Sequence, residues 1–159
     1  MPVDEPIWYY DLHPAMRDLV MRNGHVPLLA DVAITREKHL RKVEVLPEFD
    51  MRVADRASPR EIDLLLMSRE YVSVGEAKVT PKFSSNEVKG KLAALSLGVQ
   101  LVWADELVLA AYAEGVWDHH LVSSCLSDRL RSSPRPDGVV PKIRLITGLR
   151  GAAIHQLVD

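Results

Sequence analysis

Apolar residues at helical spacing predict two helices near the amino end of the chain. Over residues 11–22 such a pattern is followed by Gly24, and glycine is typical of a helix end. Pro27 suits the first turn of a second helix that extends to about Leu40, because a first turn leaves its amide hydrogens without partners inside the helix.

The middle of the chain carries shorter apolar stretches, which are typical of strands. Residues 40–53 are expected to be extended, with an interruption at Pro47. Segments 61–67 and 71–79 are rich in branched apolar side chains, and the polar residues 68–70 separate them. This pattern predicts a β-hairpin.

The remaining chain alternates between helical and strand patterns. Ser84 and Glu87 form a capping-box sequence before a helix over residues 88–98, and Gly98 is expected to end that helix. Three further elements are predicted: a buried strand over 106–113, a helix over 116–130 and a final strand over 142–149. Hairpin and crossover connections together favour an α/β fold, in which a mixed β-sheet is flanked by helices.

The composition is that of one globular domain. The chain has 159 residues and is 47% hydrophobic, which is enough for one core and too little for two. It has no apolar run of about 18 residues, and residues 1–5 do not resemble a secretion signal. The single cysteine, Cys125, excludes an internal disulfide and a multi-cysteine zinc site. A soluble protein of the cytoplasm is therefore expected, without membrane association.

Charge alone gives little attraction to nucleic acid. The formal net charge is −2, whereas affinity for a phosphate backbone comes from lysine and arginine. Four lysines lie close together in the sequence and give local positive charge: Lys78, Lys82, Lys89 and Lys91. Clusters of this kind are more often a solvated surface than a binding site.

Three residues of the predicted hairpin are candidates for chemistry. Side chains alternate along a strand, so Glu76 and Lys78 share a face, with Ala77 on the other. If Arg69 and Glu70 form a two-residue loop, Asp63 lies opposite Glu76 on the neighbouring strand. That register also places Glu61 opposite Lys78, whereas a three-residue loop pairs Asp63 with Gly75.

Two facing carboxylates repel each other and need a compensating charge. One interpretation is an ion-pair network in which Lys78 supplies that charge to Glu61, Asp63 and Glu76. The alternative is a divalent cation such as Mg²⁺, which binds oxygen ligands and lowers the pKa of bound water. The backbone carbonyl of Ala77 is a further candidate ligand. The residues alone leave both interpretations open.

The same residues resemble a known family. The segments EIDLLL (61–66) and VGEAK (74–78) resemble the PD-(D/E)XK, or restriction-endonuclease-like, nuclease superfamily. In that family an acid on one strand precedes an acid-x-lysine on the next, so Asp63, Glu76 and Lys78 take the motif positions. Ile62 stands where the motif usually has proline. The resemblance extends more loosely over residues 43–112.

The resemblance implies a fold, an activity and a site. The fold would be a single restriction-endonuclease-like domain over residues 1–159, with an N-terminal helical segment (1–42), a nuclease-like core (43–112) and a C-terminal helix and strand (113–159). The activity would be Mg²⁺- or Mn²⁺-dependent hydrolysis of phosphodiester bonds, preferentially of DNA. Asp63, Glu76 and Lys78 would be catalytic, and Asp63, Glu76 and the Ala77 carbonyl would hold the metal.

Further residues and readings complete the prediction. The family often has another acid on its first helix or strand, for which Glu37, Glu44, Glu48 and Asp50 are available. Glu48 is preferred because its strand can lie beside the hairpin, and Glu61 is a second additional candidate. Four residues are weaker candidates for nucleic-acid contact: Lys82, Lys89, Lys91 and Gln100. A homodimer or a protein partner is compatible with this reading, and the alternative function is a non-catalytic nucleic-acid- or protein-binding module of a larger assembly.

Overall fold

The computed structural model describes residues 23–51, 60–84, 88–132, 135–151 and 154–158. The predicted helix over 11–22 and the cap residue Glu87 lie outside these ranges. Within them the helices and strands follow in the order α1 (His25–Glu37), β1 (Glu44–Met51), β2 (Arg60–Met67), β3 (Val72–Lys78), α2 (Val88–Val102), β4 (Glu106–Ala111), α3 (His119–Ser132), β5 (Lys142–Thr147) and β6 (Ile154–Val158).

The described strands form one mixed sheet in the order β1-β2-β3-β4-β5-β6. Strands β1, β2 and β3 are antiparallel neighbours, β3, β4 and β5 are parallel, and β6 runs antiparallel to β5. Helix α2 lies in the crossover from β3 to β4 and α3 in the crossover from β4 to β5, as parallel pairing requires. The predicted α/β class, a mixed sheet flanked by helices, is confirmed.

Hydrophobic cores cover both faces of the sheet. Leu92 of α2 and Leu126 of α3 pack with Val74 and Leu109 in one core, which we call the α2–α3 face. Ala30 and Ile34 of α1 belong to the second core, together with Leu64, Leu66 and Val108, and we call this the α1 face. All residues of β4 are buried, as predicted, because helices cover both of its faces.

The hairpin has the register that a two-residue loop predicts. Leu65 pairs with Val74, Met67 pairs with Val72, and the Ser68 amide donates a 2.8 Å hydrogen bond to the Tyr71 carbonyl. The ladder ends at the pair Leu64–Gly75. The predicted pairs of Asp63 with Glu76 and of Glu61 with Lys78 therefore fall beyond its last rung.

Strand β2 also changes its alternation where this ladder ends. Leu64 and Leu66 contribute to the α1 face, while Ile62 and Leu65 both contribute to the α2–α3 face. Strict alternation would place Ile62 with Leu64. The irregularity is centred on Asp63, so the first acid of the motif lies where β2 separates from β3.

Several element boundaries differ from the sequence prediction, and one strand was not predicted. Helix α1 ends at Glu37 rather than near Leu40, and strand β6 was not predicted. Gly98 does not end α2, so that prediction was wrong. A Cβ atom at Gly98 would lie 3.2 Å from Val74 Cγ1 and 3.4 Å from Ile62 Cδ1, so this glycine allows α2 to pack closely on the sheet.

None of the described helices has the length and apolar character needed to cross a lipid bilayer.

Candidate active site

A cleft of about 300 Å³ opens beside the carboxyl end of β3. Four segments meet there: the start of α1, β2 near the end of its ladder, the last residues of β3, and the first turn of α2. In open α/β sheets, ligands bind beyond the carboxyl ends of parallel strands, so the position itself is suited to a ligand. The lining residues are Asn23, Gly24, Pro27, Glu61, Asp63, Glu76, Ala77, Lys78, Val79 and Lys91.

Glu76 is the most buried acid of this cleft, with 1% of its surface exposed. Its carboxylate contacts two lysines. Lys78 Nζ lies 3.4 Å from Oε1, and Lys91 Nζ lies 3.1 Å from Oε1 and 3.2 Å from Oε2. A buried carboxylate is strongly destabilising without partners, and these two ammonium groups are its partners.

Lys78 occupies a defined position on the same face as Glu76, as alternation predicts. Its Nζ atom lies 5.2 Å from the centre of the Phe83 ring, within the range of a cation–π contact. Ala77 points the other way and packs against the α1 face. The Lys78 ammonium is thus held between a carboxylate and an aromatic ring at the border of the cleft.

The Asp63 side chain forms a hydrogen bond where β2 and β3 no longer pair through their backbones. Its Oδ2 atom accepts a 2.8 Å hydrogen bond from the Ala77 amide, at the level where β2 no longer pairs with β3. This bond fixes the carboxylate between the two strands. The predicted proximity of Asp63 to Glu76 thus arises from the separation of the strands and not from direct cross-strand pairing.

The electrostatics of Asp63 are unfavourable for a free carboxylate. Burial and the nearby charge of Glu76 raise the pKa of Asp63 to about 6, although the Ala77 amide and Lys91 act in the opposite direction. The ionised carboxylate of Asp63 is therefore destabilised in the folded protein at neutral pH. Added positive charge in the cleft would stabilise it.

The donor atoms agree with the chemistry of a hard divalent cation. Mg²⁺ is often bound by one or two carboxylates together with water and phosphate oxygens, and Asp63 and Glu76 offer two carboxylates in one cleft. No group of three or more His, Cys, Asp or Glu side chains converges on a metal position in the ranges that the structure describes. Lys91 already compensates Glu76, so a cation that binds Glu76 has to compete with it.

The other predicted acids have different positions. Glu61 is exposed at the cleft, with Oε2 4.0 Å from Lys91 Nζ. Strand β1 lies beside β2, as expected for Glu48, but the side chain of Glu48 is outside the described part of the structure. Glu37 is bound to Arg144 through two 2.7 Å contacts and does not line the cleft.

The weaker candidates for nucleic-acid contact separate into two groups. Lys91 borders the cleft, whereas Lys82, Lys89 and Gln100 do not line it. Lys82 and Lys89 are exposed. Gln100 follows Lys91 by nine positions on α2, which at 1.5 Å per residue is about 13.5 Å along the helix axis. Contact of Lys82, Lys89 and Gln100 with nucleic acid stays a prediction.

Sequence reasoning missed two features of the site. It treated Lys91 only as a substrate contact, although the structure places its ammonium on Glu76. Because Lys91 directly precedes the buried Leu92, the sequence indicated that it lies at the border of the buried face of α2. The sequence did not identify Glu76 as its partner. It also gave no role to the start of α1, where Asn23, Gly24 and Pro27 form one wall of the cleft.

Comparison of the chain with protein-family models, with curated proteins and with solved structures finds no match.

Proposed function

We propose that this chain is a metal-dependent nuclease of restriction-endonuclease-like fold, which hydrolyses phosphodiester bonds and acts on DNA. The observation that carries the proposal is the presence of Asp63, Glu76 and Lys78 at one cleft beside the carboxyl end of β3. The hairpin register and the irregularity of β2 at Asp63 support it, because they bring together acids that are separate in the sequence.

The charges of the cleft suit a phosphodiester. A divalent cation bound at Asp63 and Glu76 would neutralise charge on the scissile phosphate and lower the pKa of a bound water. Lys78 provides a point charge held by Glu76 and Phe83, which can stabilise the negative charge that develops on the phosphoryl oxygens. The role of Asp63 and Glu76 is to hold the cation, and the Ala77 amide orients Asp63 for this role.

The test is cleavage of labelled single- and double-stranded DNA and RNA in Mg²⁺ or Mn²⁺. We expect cleavage by the wild-type chain, preferentially of DNA, and its loss on chelation. Glu76→Gln, Asp63→Asn and Lys78→Met should each reduce the rate by at least about 100-fold. The first two remove a carboxylate that holds the cation, and the third removes the positive charge that stabilises the phosphoryl oxygens.

Matched controls come from exposed positions away from the cleft. Glu70→Gln and Lys142→Met remove the same charges at positions that do not line the cleft, so they should retain cleavage. Circular dichroism confirms that every variant is folded. Cleavage that survives in Glu76→Gln would show that the activity arises elsewhere or from a contaminant.

A second candidate function is a non-catalytic binding module of the same fold. The contact of Glu76 with both Lys78 and Lys91 favours it, since the acid is compensated by the protein itself. If this function is the correct one, the wild type will cleave none of the four substrates and Mg²⁺ will leave its melting temperature unchanged. Glu76→Gln will then lower stability and have no other effect.

A further inference from the structure

Lys91 has a closer relation to Glu76 than the lysine of the predicted motif. Its ammonium contacts both carboxylate oxygens, at 3.1 Å and 3.2 Å, whereas Lys78 contacts only Oε1, at 3.4 Å. Lys78 is also engaged with the Phe83 ring. Lys91 is therefore the main counter-ion of the buried acid.

The position of Lys91 also allows it to leave Glu76. It lies in the first turn of α2 and its side chain is 28% exposed, in contrast to 2% for Glu76. The exposed carboxylate of Glu61, with Oε2 4.0 Å from Lys91 Nζ, offers a second partner on the solvent side. A lysine side chain has four flexible methylene groups, so a move between two nearby acids needs no change in the helix.

The contact of Lys91 with Glu76 opposes the binding of a cation at the same carboxylate. An ammonium group that contacts both oxygens of Glu76 occupies the space where a divalent cation would bind that carboxylate. Lys78 and Lys91 already place two positive charges at this carboxylate, and a divalent cation there would be repelled by both ammonium groups. The cation would therefore bind more tightly if Lys91, which contacts both oxygens, withdrew.

We propose that Lys91 is an internal counter-ion that competes with the divalent cation for Glu76 and so sets the metal affinity of the cleft. This inference rests on the proposed metal-dependent function. In the absence of metal Lys91 is the counter-ion of Glu76. When a cation binds, Lys91 moves towards Glu61 and its charge becomes available at the outer part of the cleft.

The test is Mn²⁺ binding to the full chain, measured by calorimetry and by the electron paramagnetic resonance of free Mn²⁺. Lys91→Met removes the ammonium but retains most of the side-chain length. Lys89→Met is the matched control, because it makes the same change in net charge at an exposed position on the same helix. We expect the dissociation constant for Mn²⁺ to fall by about tenfold in Lys91→Met relative to Lys89→Met, which corresponds to ~1.4 kcal/mol.

The outcomes separate this inference from the proposed function. If the wild type binds Mn²⁺ and Lys91→Met binds it no more tightly than Lys89→Met, the competition is overturned while the metal site remains. If neither the wild type nor any variant binds Mn²⁺ at millimolar concentration, the proposed metal-dependent function is overturned as well. Tighter binding by both methionine variants would assign the effect to net charge and would also overturn the competition.

A second measurement uses the wild-type protein and is independent of how the variants fold. Nuclear magnetic resonance of the lysine Cε groups, assigned through the backbone, should show a shift at Lys91 on saturation with diamagnetic Mg²⁺. Lys89 and Lys82 should show little change, because they do not line the cleft. A Lys91 signal that stays constant while the melting temperature rises with Mg²⁺ would contradict its displacement.

Discussion

Two acids, the buried Glu106 and the partly buried Asp63, lie towards opposite ends of the parallel strands and have opposite electrostatic environments. Glu106 is the first residue of β4 and pairs with Ser73 of β3. Neighbouring side chains donate several hydrogen bonds to its carboxylate. Arg144 Nη2 donates at 3.0 Å, Lys38 Nζ at 2.8 Å and the Tyr71 hydroxyl at 2.9 Å. Although burial acts to raise the pKa of Glu106, these bonds lower it to about 2.

Asp63, at the other end, is the contrasting case. It accepts a hydrogen bond from the Ala77 amide, and burial together with Glu76 raises its pKa to about 6. Saturated acids such as Glu106 are typical of structural ion pairs, whereas acids with raised pKa values beside a cleft are typical of functional sites. The comparison therefore favours a structural role for Glu106 and supports the proposed role of the cleft at Asp63.

The largest expected effect is a loss of stability on substitution of Glu106. Glu106→Gln removes the buried counter-ion of Arg144, which is 4% exposed, and leaves it only the more exposed Glu37. The free energy of unfolding should therefore fall by about 3 kcal/mol, the lower end of the cost of breaking a buried ion pair. Urea denaturation measures this change, with Glu70→Gln in the exposed hairpin loop as control. Metal-dependent cleavage by the folded fraction should remain. An unchanged urea midpoint would contradict a structural role for Glu106.

The next effect has the opposite sign and concerns Asp31 of α1, whose two buried oxygens have no hydrogen-bond partner among the described residues. Burial raises the pKa of Asp31 from 3.8 to about 7. Between these values the folded state holds a proton that the unfolded chain has released, so stability falls as pH rises through this window. Asp31→Asn should therefore increase the free energy of unfolding by about 2–3 kcal/mol at pH 8, and by less at pH 5.

Urea denaturation at the two pH values checks this prediction. Asp128→Asn, an exposed acid on α3, is the control and should leave the pH dependence unchanged. A loss of stability in Asp31→Asn at pH 8 would indicate that the carboxylate has a favourable partner. Asp31 would then be a third buried acid in the comparison, stabilised like Glu106 by a polar partner.

The smallest effect tests how the backbone positions Glu76. Gly75 lies against β4, where a Cβ atom would be 2.4 Å from the Val108 carbonyl oxygen and 3.0 Å from Val108 Cβ. Gly75→Ala has to move backbone, so we expect a loss of about 1–3 kcal/mol, together with weaker cleavage from a displaced Glu76.

Gly90→Ala is the matched change, because a Cβ atom there has no neighbour within 4 Å and Gly90 lies in helix α2. It should instead stabilise the protein by about 0.5–1 kcal/mol, the usual difference between alanine and glycine in a helix. Thermal and urea denaturation of both variants provides the measurement. Equal effects at Gly75 and Gly90 would contradict a close approach of β3 and β4.

Local patterns were sufficient for much of the fold. Alternating and branched apolar residues predicted the hairpin but left two registers open. The structure has the register that a two-residue loop of Arg69 and Glu70 sets. The buried strand β4 followed from its unbroken apolar sequence. Gly98 was misread, because a glycine needed for close helix packing looks the same in the sequence as one that ends a helix.

The residues of the proposed site were selected from the sequence, but only part of their arrangement could be predicted. Alternation alone places Glu76 and Lys78 on one face, and the structure agrees. The contact of Lys91 with Glu76 depends on how α2 lies against the sheet, which no local pattern specifies. The hydrogen bond between Asp63 and the Ala77 amide needs the separation of β2 from β3, a departure from the regular pairing that the sequence pattern assumes.

By itself the sequence determined the types of most elements, the presence of the hairpin and the identity of the acids, because these depend on neighbours a few positions away. Tertiary structure alone decided which acid has several hydrogen-bond donors and which has a raised pKa. Glu106 meets Arg144, Lys38 and Tyr71 from three distant segments, whereas Asp63 meets the charge of Glu76 and a backbone amide. Burial and long-range contacts set these energies, so they exist only in the assembled fold.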